Sequence, residues 1–156
     1  HVGASTGSTS GKAVRAKYNL PETSMIDMGD FAGGMLKYLR SHPIPRITIG
    51  GGVGKLSKLA QGHLDLHSGR SQLDLEWLAG QALTLGAPNG TTEVIRKANS
   101  ALEVFEIAES QNLPLANLIA SKARAVALKV LSGAPTEVEI LVFDRQGKLV
   151  GAAHGW

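Results

Sequence analysis

Two hydrophobic periods alternate along this chain. Short apolar runs bounded by glycine and hydroxyl residues give way to longer stretches in which apolar positions recur every three or four residues. "HVGASTGSTSGKAVRAKY" at the start has the form of a strand, a Gly/Ser/Thr loop and a helix, with Ser8, Thr9 or Ser10 placed to cap that helix. Residues 24–28 predict a short strand. Residues 29–41 predict a helix carrying Phe31, Met35, Leu36 and Leu39 on one side, ended by "HPIP" at 42–45. Residues 46–49 are the next strand and 50–54 its glycine loop. Helices follow over 54–61, 73–85, 91–111 and from about Asn112 to Leu131, with Gly133 just beyond the last. Two strands, 137–144 and 148–153, flank the turn Arg145-Gln146-Gly147 and predict a hairpin.

Strands alternating with helices over the first third of the chain call for an α/β fold. A mainly parallel, Rossmann-like sheet carries flanking helices, and the C-terminal β-hairpin is added to that sheet. One domain over residues 1–156 suits this length. In such sheets ligands bind beyond the carboxyl ends of the strands. Three connections fall at that edge, 5–10, 29–30 and 50–55, all rich in glycine or hydroxyl groups. Two of them lead into helix starts with unpaired N–H donors.

Composition narrows the chemistry. The chain is 43% hydrophobic, enough for a real core, and only 4% aromatic, so that core is aliphatic. It has no cysteine, which removes disulfides, thiolate nucleophiles and cysteine-ligated metals and suits a cytoplasmic setting. The net charge of +3 favours anionic ligands, but the basic residues are scattered without aromatic interleaving, so nucleic acid is not an expected partner. No apolar run is long enough for a membrane span.

Several polar groups remain as candidates. Gly50-Gly51-Gly52-Val53-Gly54-Lys55-Leu56 fails the Walker pattern, with one residue too few before Gly-Lys and Leu56 where a hydroxyl is needed. Glycines there still let backbone approach a ligand, beside the plainer reading of a tight strand–helix turn. Thr6, Gly7, Ser8 and Thr9 offer donors for a carboxylate or phosphate, or simply a capped helix start. Asp30, following Gly29, could accept from ribose hydroxyls or complement a helix terminus. In "HLDLHSGR", His63, Asp65 and His67 share a face of an extended chain, and Arg70 offers a planar fork for carboxylates. Proton and anion chemistry is favoured there over a metal site, beside a purely structural polar cluster. Taken alone, these residues leave open a nucleotide- or phosphate-binding domain of another enzyme class and a non-catalytic interaction domain docking through residues 91–131.

Read together, "ASTGSTS", "MIDMGDFAGGMLKYL", "ITIGGGVGKLSKLAQGHLDLHS" and "GRSQLDLEWLA", in this order and spacing, resemble the CbiD-type cobalt-precorrin-5B C(1)-methyltransferase family of anaerobic cobalamin biosynthesis. The resemblance is strongest over residues 1–87 and continues more weakly to the C-terminus. It implies methylation of C-1 of a cobalt-containing tetrapyrrole, cobalt-precorrin-5B, to give cobalt-precorrin-6A, with S-adenosylmethionine as cofactor. It also implies that this chain is the C-terminal part of a longer enzyme whose preceding domain is a partner. A second copy of the chain is admitted as a further partner.

Under that resemblance the sheet edge assigns the cofactor to Thr6, Gly7, Ser8, Thr9, Gly29, Asp30, Gly50, Gly51 and Gly52. Arg70, Ser68 and Lys55 are assigned to the acidic substrate. His67, with His63 or Asp65, is the expected proton-handling group, and no metal ligands are expected.

Overall fold

The computed structural model describes residues 1–69 and 72–156; Arg70 and Ser71 lie outside the described residues. The elements in chain order are β1 (Val2–Ser5), α1 (Ser8–Tyr18), β2 (Met25–Asp27), α2 (Ala32–Ser41), β3 (Arg46–Gly52), α3 (Val53–Ala60), α4 (Leu75–Thr84), α5 (Asn89–Arg96), α6 (Ala101–Ser110), α7 (Leu115–Leu131), β4 (Glu137–Phe143) and β5 (Leu149–Ala153). A single 3-10 turn, Glu22–Ser24, leads into β2.

The strands form one five-stranded sheet in the order β2-β1-β3-β4-β5. The first four are parallel, and β5 returns antiparallel to β4 after a register irregularity at Val142/Phe143. Strands β3 and β4 are buried at all but their ends, as a central parallel pair covered on both faces must be. The expected parallel sheet with an added C-terminal hairpin is therefore present.

The two faces are covered unequally. The main core packs α2, α3 and α7 on one face through Leu36, Leu56, Leu59, Ile119, Ile47 and Ile140, all fully buried. Helix α7 buries Leu115, Ile119, Ala120, Ala123, Ala127 and Leu131, a stripe whose alanines let the helix lie close to the sheet. It ends where Ser132 turns left-handed, followed by Gly133. Helix α1 covers the other face with Val14, joined by Leu20, Leu141 and Phe143 in a separate small cluster.

Three boundaries differ from the sequence expectation. Strand β3 runs three residues further, through Gly50, Gly51 and Gly52, because those glycines pair with Leu141, Val142 and Phe143 of β4. The single helix expected over 91–111 is two, α5 and α6. Ser100 caps α6 by accepting from Glu103 N at 3.2 Å, while the Glu103 carboxylate accepts from Asn99 N at 2.8 Å. "S-A-L-E" at 100–103 is a capping-box signature that marks this break. Helix α1 is capped by Gly7 rather than by a hydroxyl side chain, since Ser10 Oγ donates to Gly7 O instead.

Candidate functional site

In a parallel sheet of this order, the chain reverses its direction of propagation between β1 and β3, and the crevice opens where their carboxyl ends diverge. A cleft of about 500 Å³ lies there. Thr6 to Ser10 form one wall, Gly52 to Lys55 another, and Ser100–Leu102 with Phe143–Arg145 the third. The volume falls within the range of roughly 300–1,000 Å³ typical of small-molecule sites.

Glycine placement separates backbone that faces the cleft from backbone that does not. A Cβ at Gly7 or Gly52 would meet nothing within 4 Å, so both border open space. A Cβ at Gly50 would drive into Val14 of α1, and one at Gly51 would lie 2.9 Å from Thr6 Oγ1 and 3.0 Å from Leu56 Cγ. Gly50 and Gly51, read from the sequence as part of a ligand loop, are buried strand positions occupied by the protein's own packing. Gly52 alone of the three reaches the opening. The N–H groups of the first turn of α1 point from the same corner, since the first helical bond there is Gly11 N to Gly7 O at 2.9 Å.

Lys55 ties the corners together. From the first turn of α3 its Nζ donates to Thr6 O in the β1–α1 connection at 3.2 Å and lies 2.7 Å from Asp30 Oδ1 in the β2–α2 connection. All three expected loops therefore converge on one ammonium. Hydrogen bonding to Lys55 holds the Asp30 carboxyl below its ordinary value of 3.8, against an opposing effect of desolvation. Asp30 is spent on this pair and does not line the cleft, and Lys55 lines it with its charge already matched. Gly29, at φ 54°, makes the tight turn before Asp30, its N–H donating to Asp27 Oδ1 at 3.2 Å.

The sign of the resulting pH effect follows from the depressed value. The stability that the Lys55–Asp30 pair lends is complete above 3.8 and is lost as pH falls through the lower folded-state pKa. Asp30→Asn is expected to flatten the acid limb of a urea-midpoint profile taken from pH 6 to pH 2. An unchanged profile would show that the pair lends nothing.

The "HLDLHS" segment folds over the start of α2 through Gly33 N to Leu64 O at 2.9 Å, Leu66 N to Asp30 O at 2.8 Å and Lys58 Nζ to Leu66 O at 3.2 Å. Gly33 is required there, because a Cβ would lie 2.6 Å from Leu64 Cβ, whereas Gly34 faces open space. His67 and Asp65 sit close enough to Asp30 to act on it electrostatically, the first lowering and the second raising its pKa. Asp65 Oδ1 accepts from His67 N at 3.0 Å, and His67 Nδ1 accepts from Gly69 N at 3.0 Å. A backbone N–H can only donate, so the neutral ring of His67 carries its proton on Nε2.

His63 lines a depression with Gln61, Gly69 and Gln72. Ser68 is exposed, its carbonyl accepting from Gln72 Nε2 at 3.3 Å. Arg70 lies outside the described residues. No three metal-ligating side chains come together among the described residues.

Sequence reasoning missed two features. The third wall of the cleft comes from Ser100–Leu102 and from Asp144 and Arg145 of the hairpin, which only sheet order brings to this edge. Far from the cleft, buried Glu139 accepts from Tyr18 OH at 2.5 Å and from Thr48 Oγ1 at 3.0 Å, with His154 Nδ1 at 2.5 Å. Desolvation, reinforced by Glu139, pushes the Tyr18 phenol upward.

Residues 65–154 match the family described as CbiD, C-terminal domain. The chain is 54% identical over 154 residues to the cobalt-precorrin-5B C(1)-methyltransferase of Paramagnetospirillum magneticum, covering 99% of this chain and 43% of that protein. It is 57% identical over 150 residues to the protein of the same name from Brucella abortus, covering 96% of this chain and 41% of the relative. A third, from Halorhodospira halophila, is 53% identical over 156 residues, covering 100% of this chain and 42% of the relative. The chain thus spans less than half the length of these relatives. No solved structure matches it significantly.

Proposed function

The chain belongs to the CbiD family by its C-terminal domain, and we propose that it forms the cofactor-holding part of an S-adenosylmethionine-dependent cobalt-precorrin-5B C(1)-methyltransferase in cobalamin biosynthesis, acting with a preceding domain in the cytoplasm. One observation carries the site assignment. Gly7 and Gly52, at the mouths of β1 and β3, border open space on opposite walls of the cleft, and Lys55 fixes both walls.

This arrangement fits the amino-acid end of the cofactor. The N–H groups of Ser8, Thr9 and Ser10 can donate to its carboxylate, with the positive end of the α1 dipole behind them. S-adenosylmethionine supplies a methyl group already activated on sulfur, so the protein's task is chiefly alignment. Thr6 and Lys55 keep the corner rigid. His67, held by Asp65 and Gly69, presents Nε2–H as a hydrogen-bond donor to the acidic tetrapyrrole. In that form its ring donates a hydrogen bond rather than removing a proton. Arg70, Ser68 and His63 remain proposed contacts for the substrate side, Gly29 and Asp30 act through Lys55, and Gly50 and Gly51 serve the sheet.

Gly7 (φ −174°) and Gly52 (φ −73°, ψ 162°) have extended backbones that valine adopts without strain. Gly52→Val and Gly7→Val are therefore expected to lower the melting temperature by no more than a few degrees, the cost of valine at two N-cap positions, while weakening S-adenosylhomocysteine binding at least about tenfold by calorimetry. Unaltered binding in both would remove the cleft from the reading. Preference of the wild-type protein for ATP over S-adenosylhomocysteine would overturn the methyltransferase assignment and favour the nucleotide-binding alternative.

A further inference from the structure

The cleft does not end at the hairpin. Val53, Leu102, Asp144 and Arg145 also line a second compartment of about 590 Å³, reaching between α6, the start of α7 and the β4–β5 hairpin. Its character differs from the first. Leu102, Phe105, Leu113, Leu115, Leu149 and Val150 give it apolar walls. Its rim carries Glu106 and Glu109 from α6 against Arg145 and Lys148 from the hairpin, a balanced set of charges.

We infer that this compartment houses the adenosyl half of the cofactor, so that the cofactor lies across β3 toward β4 rather than toward β2. The inference rests on the proposed cofactor site and adds where its nucleoside end goes. Three observations favour that direction. Asp30, the ribose acceptor suggested by sequence, is engaged by Lys55 and lies outside the cleft. The apolar walls suit a flat, uncharged base, and sites of this kind place a few polar groups around an apolar lining. Glu106 and Glu109, three residues apart on one helix, bring acceptor oxygens to the rim, as ribose hydroxyls require. The same two carboxylates disfavour a polyanionic macrocycle in the compartment, which would gain from Arg145 and Lys148 what it lost to them.

The neck shared by the two compartments is set by a rigid turn. Asp144 Oδ1 accepts from Gln146 N and from Lys148 N, each at 2.9 Å, while Asp144 N donates to Lys148 O at 3.0 Å. The Asp144 charge therefore stays beside the point where a sulfonium joining the two halves would lie. Arg145, without an ion-pair partner among the described residues, lines both compartments from the same turn.

The test measures binding of S-adenosylhomocysteine and of 5′-methylthioadenosine, which lacks the amino-acid end, to the intact protein carrying Leu149→Glu or Leu102→Trp. Leu149 is 40% exposed, so a charge there alters the compartment wall without burying it in the core. Each variant is expected to weaken both ligands about tenfold or more. Gly52→Val should weaken S-adenosylhomocysteine but hardly affect 5′-methylthioadenosine. An azidoadenosyl analogue should label peptides from residues 102–115 or 145–150. Labelling elsewhere, or wild-type affinity in both compartment variants while Gly52→Val still weakens S-adenosylhomocysteine, would overturn this placement and leave the cofactor assignment standing. Wild-type affinity in all three variants would defeat both.

Discussion

Lys55→Met should reduce S-adenosylhomocysteine affinity about a hundredfold, the largest binding effect expected of any single change in this site. Methionine keeps most of the stem length and removes the ammonium. Three connections then lose their common tie: Thr6 O loses a donor at 3.2 Å, Asp30 loses a counter-charge at 2.7 Å, and the N-terminal turn of α3 is freed from both. The Asp30 side chain is only 22% exposed, so its bare carboxylate is poorly solvated and its pKa rises back toward or above the ordinary range. The stability cost is about 1–2 kcal/mol, less than for a fully buried pair, because Lys55 itself is 42% exposed and screened by water. Adding Asp30→Asn to Lys55→Met removes the unpaired charge and should restore most of that stability without restoring affinity. That separation distinguishes a binding role from a folding role. Wild-type affinity in Lys55→Met would show that the corners are positioned by something else.

The largest stability effect is expected at Gly151, a strand glycine that the sequence did not single out. A Cβ there would lie 2.5 Å from Ala116 C and 2.6 Å from Ala116 O, backbone atoms of the first turn of α7. That turn cannot easily retreat, because Asn117 Oδ1 accepts from Ala152 N at 3.0 Å and Leu115 is fully buried behind it. Gly151→Val should therefore cost about 3 kcal/mol or more by overpacking, which for a domain of this size lowers the melting temperature by roughly 10 °C. A scanning-calorimetry trace within a degree or two of wild type would show that β5 and α7 can separate. Since Ala116, Leu115 and Val150 line the second compartment, the same contact fixes its depth.

Much of this architecture was legible in the sequence because the signals were local. The glycine and hydroxyl connections after β1, β2 and β3, the long α7 and the turn at Arg145-Gln146-Gly147 each carry their own chemistry. What was not legible depended on pairing between distant segments. Gly50 and Gly51 look like loop residues until Leu141 and Val142 arrive beside them. The run 91–111 keeps helical spacing across a break that only the Ser100–Glu103 cap reveals. His63 and His67 share a spacing, but the chain between them bends to bond with the start of α2 through Leu64 O and Leu66 N, which spacing alone does not show. Asp144 and Arg145 could be read as a strand end and the start of a hairpin turn, but not as one end of a cleft whose other end is Thr6.

The third wall of that cleft has a consequence for how the molecule is made. Strand β4 sits directly beside β3, yet every helix from α3 to α7 must be synthesised between them, and the hairpin that closes the compartment comes last of all. Pairings between segments so distant along the chain carry a loop-closure cost before they return any contact energy, which slows folding. A nascent chain emerging from the ribosome therefore leaves the apolar edge of β3 without its β4 neighbour until residues 137–143 have been delivered.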